Sequence, residues 1–239
     1  RRRRTGALGV REYVNTGETD LFQCLHKNAM LFLYIFQVSQ PSDEARCSPV
    51  TVSEQKQAQR RAGRAARRAL SAQARAAANA ALCANLWQLA AVQNAQTILL
   101  YAAFGSEADL SALVEKAQAQ GKTLAYPVCG EAYSLTAAVP GPDGWEMGQY
   151  GIRTPILSRS EILLPEALDL VLVPCTAFDA DCFRVGMGKG YYDRYLPRCK
   201  NAVKIGIAFE AQRVDHAAVD EHDQRLDAYV TERGIYKWK

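Results

Sequence analysis

The alternation of apolar and polar positions changes character near residue 53. From there to residue 91 alanine, arginine and glutamine dominate, all good helix formers apart from the interior Gly63. Ser71, directly after Leu70, suits an N-cap and divides the stretch into two predicted helices. In the first, Lys56, Arg60, Arg64 and Arg67 recur at steps of three and four and share a face. In the second, Leu82, Leu86 and Leu89 form an apolar stripe that needs a sheet to pack on. Beyond them the period shortens. Residues 97–101 and 123–128 read as short apolar strands, joined by a helix at 107–120 that Gly121 ends. Residues 133–139 alternate as another strand before the turn Gly141-Pro142-Asp143-Gly144, and the segment holding Trp145, Tyr150, Gly151 and Ile152 reads as irregular. Residues 170–173 are a continuous branched run, as in a strand buried on both faces, and 202–209 is a further strand. Strands alternating with helices predict an α/β fold: a mainly parallel sheet with helices on both faces, in one Rossmann-like three-layer domain. A ligand crevice is then expected at the strands' C-terminal ends.

Length allows one such domain with a full core and an extension, and 239 residues divide naturally into 1–52 and 53–239. The first part is expected to be a disordered or non-native extension. Its apolar stretch at 29–38 is too short to cross a bilayer, and it is set too far from the leading arginines for a signal peptide. The net charge of +4 is unevenly spread: residues 1–75 carry 14 Lys and Arg against 6 acids, the remainder 15 against 19. The basic character is therefore local, which argues against a nucleic-acid-binding protein as a whole. Seven cysteines without a C-x-x-C pair or zinc spacing suit a reducing cytosol. His216 and His222 are assigned no role.

The chemistry concentrates after residue 173. Pro174 breaks the buried run, Arg184 follows, and Gly186, Gly188 and Gly190 alternate before a run at 191–196 able to start a helix. Strand, glycine loop and helix aim backbone N–H groups at one spot, where an anion such as phosphate belongs. A dinucleotide fingerprint is excluded because Tyr191 stands where its third glycine belongs, and a Walker loop because Gly190 follows Lys189. Arg184 and Lys189 supply cations. Asp193, one turn into the helix, would repel a phosphate unless a divalent cation lay between them, so it reads as a magnesium ligand, against the plainer role of favouring a helix N-terminus. On that reading Asp193→Ala abolishes turnover with little loss of stability.

The run Arg184-Val185-Gly186-Met187-Gly188-Lys189-Gly190-Tyr191-Tyr192-Asp193-Arg194, preceded by Pro174 and Ala177-Phe178-Asp179, resembles the signature of the 5-formyltetrahydrofolate cyclo-ligase family, also called methenyltetrahydrofolate synthetases. The resemblance extends from about Ser53 to the C-terminus. It implies a cytoplasmic, monomeric ligase that uses ATP and magnesium to turn 5-formyltetrahydrofolate into 5,10-methenyltetrahydrofolate, with no nucleic-acid or membrane partner. It further implies that Lys56 and Arg60 contact nucleotide phosphates together with Arg184 to Tyr192, and that Lys56, Arg184, Lys189 and Tyr191 serve the chemistry. Ala102, Glu107 and the segment from Met187 to Tyr191 are implied to receive the folate, and Asp223 to join Asp193 on magnesium. Two departures stand out: Ala102 where a larger apolar residue is familiar, and Thr154 where the family commonly has glutamate.

Two other classes fit parts of the pattern. A sugar-phosphate isomerase or CoA-transferase-like α/β enzyme also wants a phosphate loop, but needs a catalytic carboxylate and no ATP. An RNA-binding module would rest on the arginine-rich helix.

Overall fold

Each helix of the N-terminal pair starts where the sequence provides a cap. The computed structural model of the protein describes residues 50–148 and 151–237, so the expectation for residues 1–49 lies outside the described residues. Thr51 and Glu54 form a reciprocal capping box, and helix α1 runs Val52–Ala69. Ser71 accepts the Ala74 N–H and opens α2, Ala72–Trp87, which a short α3, Ala90–Asn94, follows.

Strands β1 (Thr97–Leu99), β2 (Thr123–Cys129), β3 (Leu135–Pro140), β6 (Ser160–Leu163), β7 (Leu170–Pro174), β10 (Val203–Ile207), β11 (Ala228–Thr231) and β12 (Gly234–Lys237) form one sheet in the order β12-β11-β10-β7-β1-β2-β3-β6. Its centre, β11-β10-β7-β1-β2, is parallel. Antiparallel partners close both sides: β12 at one edge, β3 and β6 at the other. Helix α4, Ser111–Ala119, connects β1 to β2. Three small pieces complete the description: the hairpin of β4 (Trp145–Met147) with β5 (Arg153–Pro155), the hairpin of β8 (Ala177–Phe178) with β9 (Arg184–Val185), and helix α5, Tyr191–Tyr195.

The expected α/β architecture is present, with the apolar core divided by the sheet. On one face Leu82 and Leu86 of α2, Val92 of α3 and Leu113 of α4 pack on Ile98, Leu170, Leu172 and Ile205. On the other, Tyr195, Leu196 and Cys199 from α5 and the turn after it pack with Phe178 and Tyr229 on Leu99, Val171 and Val173. All of Leu170–Val173 is buried, which explains why that strand shows no alternation.

Some boundaries differ from the expectation. The helix foreseen from Glu107 begins at Ser111, because Asp109 accepts the Ser111 N–H and Glu107 accepts the Phe104 N–H in a preceding turn. The segment around Trp145 is a hairpin, in which Arg153 lies over the Trp145 ring at 4.5 Å. The helix after the glycines is one turn, followed by a 3-10 turn at Leu196–Arg198, so little helix dipole reaches the loop. Chain order runs from β1 outward to β2 on one side and from β7 outward to β10 and β11 on the other. The crevice beyond the C-terminal ends of β1 and β7 is therefore where such a sheet takes its ligands.

Candidate active site

Helix α1 crosses that end of the sheet, and one glycine sets how closely it sits. A Cβ on Gly63 would lie 1.8 Å from the Thr176 carbonyl oxygen, so the absence of a side chain lets the helix rest directly on the corner after β7. The face bearing the predicted cationic ridge then meets four segments in turn. The Lys56 ammonium lies 2.6 Å from Asp220 Oδ2 and 2.5 Å from Asp223 Oδ2. Gln59 donates to the His216 carbonyl and accepts the Ala218 N–H. Arg60 donates from Nε to the Gly186 carbonyl at 2.9 Å. Arg67, nearly buried, donates to Ser106 Oγ and the Cys175 carbonyl and lies 3.6 Å from Glu107 Oε1. Lys56, Arg60 and Arg67 thus direct their charge inward, onto carboxylates and carbonyls of other segments.

The glycine loop lies against this helix. Gly188 and Gly190 adopt left-handed φ angles of 98° and 69°, which favour glycine, and the space where a Gly188 Cβ would stand is 3.1 Å from Arg60 Cζ. Met187 and Lys189 are exposed. Arg194 holds the loop's end by donating to the Lys189 and Gly190 carbonyls. Tyr133, at the far side, places its ring 5.9 Å from the Lys189 ammonium and edge-on to Tyr191 at the same separation. Tyr192 buries its hydroxyl without a hydrogen-bond partner, and burial drives its pKa far above the ordinary value.

Arg184 was expected to offer a cation to phosphate, but the structure gives it a different post. Its side chain is 3 % exposed, pairs with Asp193 Oδ1 at 2.7 Å and donates to the Gln224 carbonyl at 2.6 Å. Gln224 returns its N–H to Asp193 Oδ1 at 3.3 Å. Arg184 is a strut joining β9, α5 and the 220–224 loop, and Val185 beside it is buried core.

Asp193 touches the residue that follows Asp223, so the two expected metal ligands lie on adjoining segments. Each carboxylate is already paired with a base, Asp193 with Arg184 and Asp223 with Lys56. Among the described residues no group of three or more His, Cys, Asp or Glu is arranged to hold a metal ion. Two hard oxygen donors fit magnesium when phosphate and water fill the remaining positions, and fit poorly with an all-protein cage. In the cluster of Lys56, Asp220 and Asp223 two groups are shifted: burial lowers the Lys56 pKa but hydrogen bonds to Asp220 and Asp223 outweigh it, giving a net rise, while the Lys56 hydrogen bond lowers that of Asp220.

Ala102 and Glu107, expected beside folate together with the segment from Met187 to Tyr191, face different spaces. Ala102 lines a pocket of about 290 Å³ with Tyr101, Tyr126, Trp145 and Arg153. Glu107 does not line it, its carboxylate being turned to Arg67 and the Phe104 N–H; burial raises its pKa, opposed by those two groups. Thr154 lies in β5, beside this pocket's Arg153. Asp220, Gln224 and Tyr133 were not singled out from the sequence. Their signal there is slight: Asp220 and Gln224 lie in coil and Tyr133 in a 3-10 turn, although Asp220 stands three residues before Asp223.

Comparison with known proteins identifies the family. The family model for the 5-formyltetrahydrofolate cyclo-ligase family matches residues 52–232. The chain is 31% identical over 149 residues to the 5-formyltetrahydrofolate cyclo-ligase of Escherichia coli K12, covering 60% of this chain and 82% of that protein. The mouse 5-formyltetrahydrofolate cyclo-ligase is 29% identical over 198 residues, 77% of this chain and 96% of its own. Among solved structures, the 5,10-methenyltetrahydrofolate synthetase of Aquifex aeolicus superposes with a TM-score of 0.68 at 30% identity, covering 77% of this chain and 93% of that one. The matched region takes in α1, the glycine loop and the 220–224 loop together, and the chain belongs to the 5-formyltetrahydrofolate cyclo-ligase family.

Proposed function

We propose that the protein converts 5-formyltetrahydrofolate to 5,10-methenyltetrahydrofolate at the expense of ATP, releasing ADP and phosphate. The observation that carries this reading is the convergence of Lys56 and Arg60, the loop Gly186 to Gly190, and the carboxylates of Asp193 and Asp223 at one end of the sheet. Phosphoryl transfer asks a protein mainly for positioning and charge neutralisation, and this is a site of cations and glycine backbone without a nucleophilic side chain.

In the proposed reaction the γ-phosphoryl group passes to the formyl oxygen, the neighbouring amine nitrogen attacks the activated carbon, and that oxygen leaves with the phosphate. Lys56, Arg60 and Lys189 bind the triphosphate, with backbone N–H groups of residues 186–190 and flanking Val185, Tyr191 and Tyr192. Arg184 acts by holding Asp193 and the 220–224 loop in place. Ala102, Glu107 and the loop from Met187 to Tyr191 receive the folate. Asp193 and Asp223 would hold magnesium, which supplies charge neutralisation at the phosphates when bound. On the same reading the protein acts in the cytoplasm as a monomer. Among the described residues no helix is long and apolar enough to cross a membrane.

Absorbance of the methenyl product should grow when the full chain is given 5-formyltetrahydrofolate, ATP and magnesium, and stay flat without ATP. Growth that is indifferent to ATP, or its absence under all conditions, would refute the reading and favour an isomerase-like enzyme or a non-enzymatic role.

A further inference from the structure

The Lys56 ammonium is held by two carboxylates whose situations differ. Asp223 Oδ2 accepts both from Lys56 and from the Asp220 N–H, at 2.7 Å, and its side chain is 14 % exposed. Asp220 is 47 % exposed; its Oδ2 takes the ammonium while its Oδ1 accepts the His222 N–H at 3.0 Å. Asp220 is therefore an anchored arm with no part in the apolar core, reaching a residue 164 positions earlier in the chain.

On the reading given above, Asp223 has a second claimant. Asp223 would be called on to hold magnesium bound with the nucleotide, while Lys56 would be needed at the phosphates at the same moment. With Asp223 as its sole anchor, the lysine would compete with the metal for one carboxylate. We propose that Asp220 is a positioning residue that keeps Lys56 in place when Asp223 turns to the metal. It thereby uncouples the lysine from the metal site. The inference rests on the proposed function, but its failure has a different signature.

The test is calorimetric titration of the full chain with a non-hydrolysable ATP analogue, once with EDTA and once with magnesium, for the wild type, Asp220→Asn and Asp220→Glu. With EDTA, Asp220→Asn should bind the analogue as tightly as the wild type or more tightly, since a negative charge near the phosphates is gone. With magnesium, the gain in affinity should be smaller than in the wild type by about two- to fivefold, the scale of a partly exposed ion pair. Asp220→Glu should restore that gain. Equal magnesium gains in the wild type and Asp220→Asn, equal weakening under both conditions, or a glutamate variant that restores nothing would each overturn the inference. A wild type that binds no analogue, or binds it without regard to magnesium, would instead sink the function and metal assignments beneath it.

Discussion

Asp193 and Arg184 show how a side chain's partner revises its expected role. Read in sequence, Asp193 is a metal ligand whose removal costs little stability; in the fold it is the counter-ion of an almost fully buried guanidinium. Asp193→Ala leaves Arg184 with the Gln224 carbonyl alone, so we expect a loss of about 2 kcal/mol in urea unfolding, discounted from a fully buried pair because Asp193 is partly exposed. Asp193→Asn keeps an acceptor and is the cleaner probe of turnover, which should fall to background with a smaller loss of stability. Glu107 supplies a pH signature. Its carboxyl is held above its ordinary 4.5 by burial, so the folded state keeps that proton more tightly than the unfolded chain. Ionising it costs stability: the cost is absent well below 4.5, sets in as pH rises through that value, and is complete above the folded pKa. Unfolding measured against pH should therefore show Glu107→Gln gaining on the wild type across this window, whatever its offset at low pH from the loss of the Arg67 partner. Lys56 and Arg60 were legible because helical spacing turns four residues into one turn of one face. Asp220 and Tyr133 were not, because their places depend on contacts between distant parts of the chain: Asp220 lies in coil, and Tyr133, read as the start of a strand, lies in a 3-10 turn before β3.

The elements best read from sequence are those whose pattern their own surroundings enforce. Helix α2 shows its buried stripe of Leu82 and Leu86, and β7 its unbroken apolar run. The β4 and β5 hairpin was hidden because each strand has three residues, too few to alternate, and β11 because its apolar run, Ala228–Val230, is only three residues long. Gly63 looked like a weakness in a helix and is the contact by which α1 docks. Gly63→Ala should lift the helix from the Thr176 carbonyl, costing about 1–3 kcal/mol as an overpacked site. Because Lys56 and Arg60 ride on that helix, the same variant should raise the Michaelis constant for ATP several-fold; a destabilised protein with unchanged ATP dependence would show that α1 tolerates the shift.

Across the whole molecule, the parallel centre and the crevice followed from the βαβ rhythm, whereas the antiparallel strands at both edges did not. Edge pairing depends on which strand happens to be left open, a property of the assembled sheet. The long-range prediction belongs here too. Lys56→Ala with Arg60→Ala should raise the Michaelis constant for ATP far more than that for 5-formyltetrahydrofolate, and steady-state kinetics showing equal effects would reduce the basic ridge to a brace. The two flanks of the crevice come from separate stretches of chain: residues 101–107 follow β1, while residues 175–190 follow β7. On the proposed reading, one flank reads the pterin-bearing molecule and the other grips the phosphates. On the same reading, a change on the first flank, at Ala102 for example, can retune vitamin selectivity while the energy donor stays the same, so the two specificities are free to evolve at different rates.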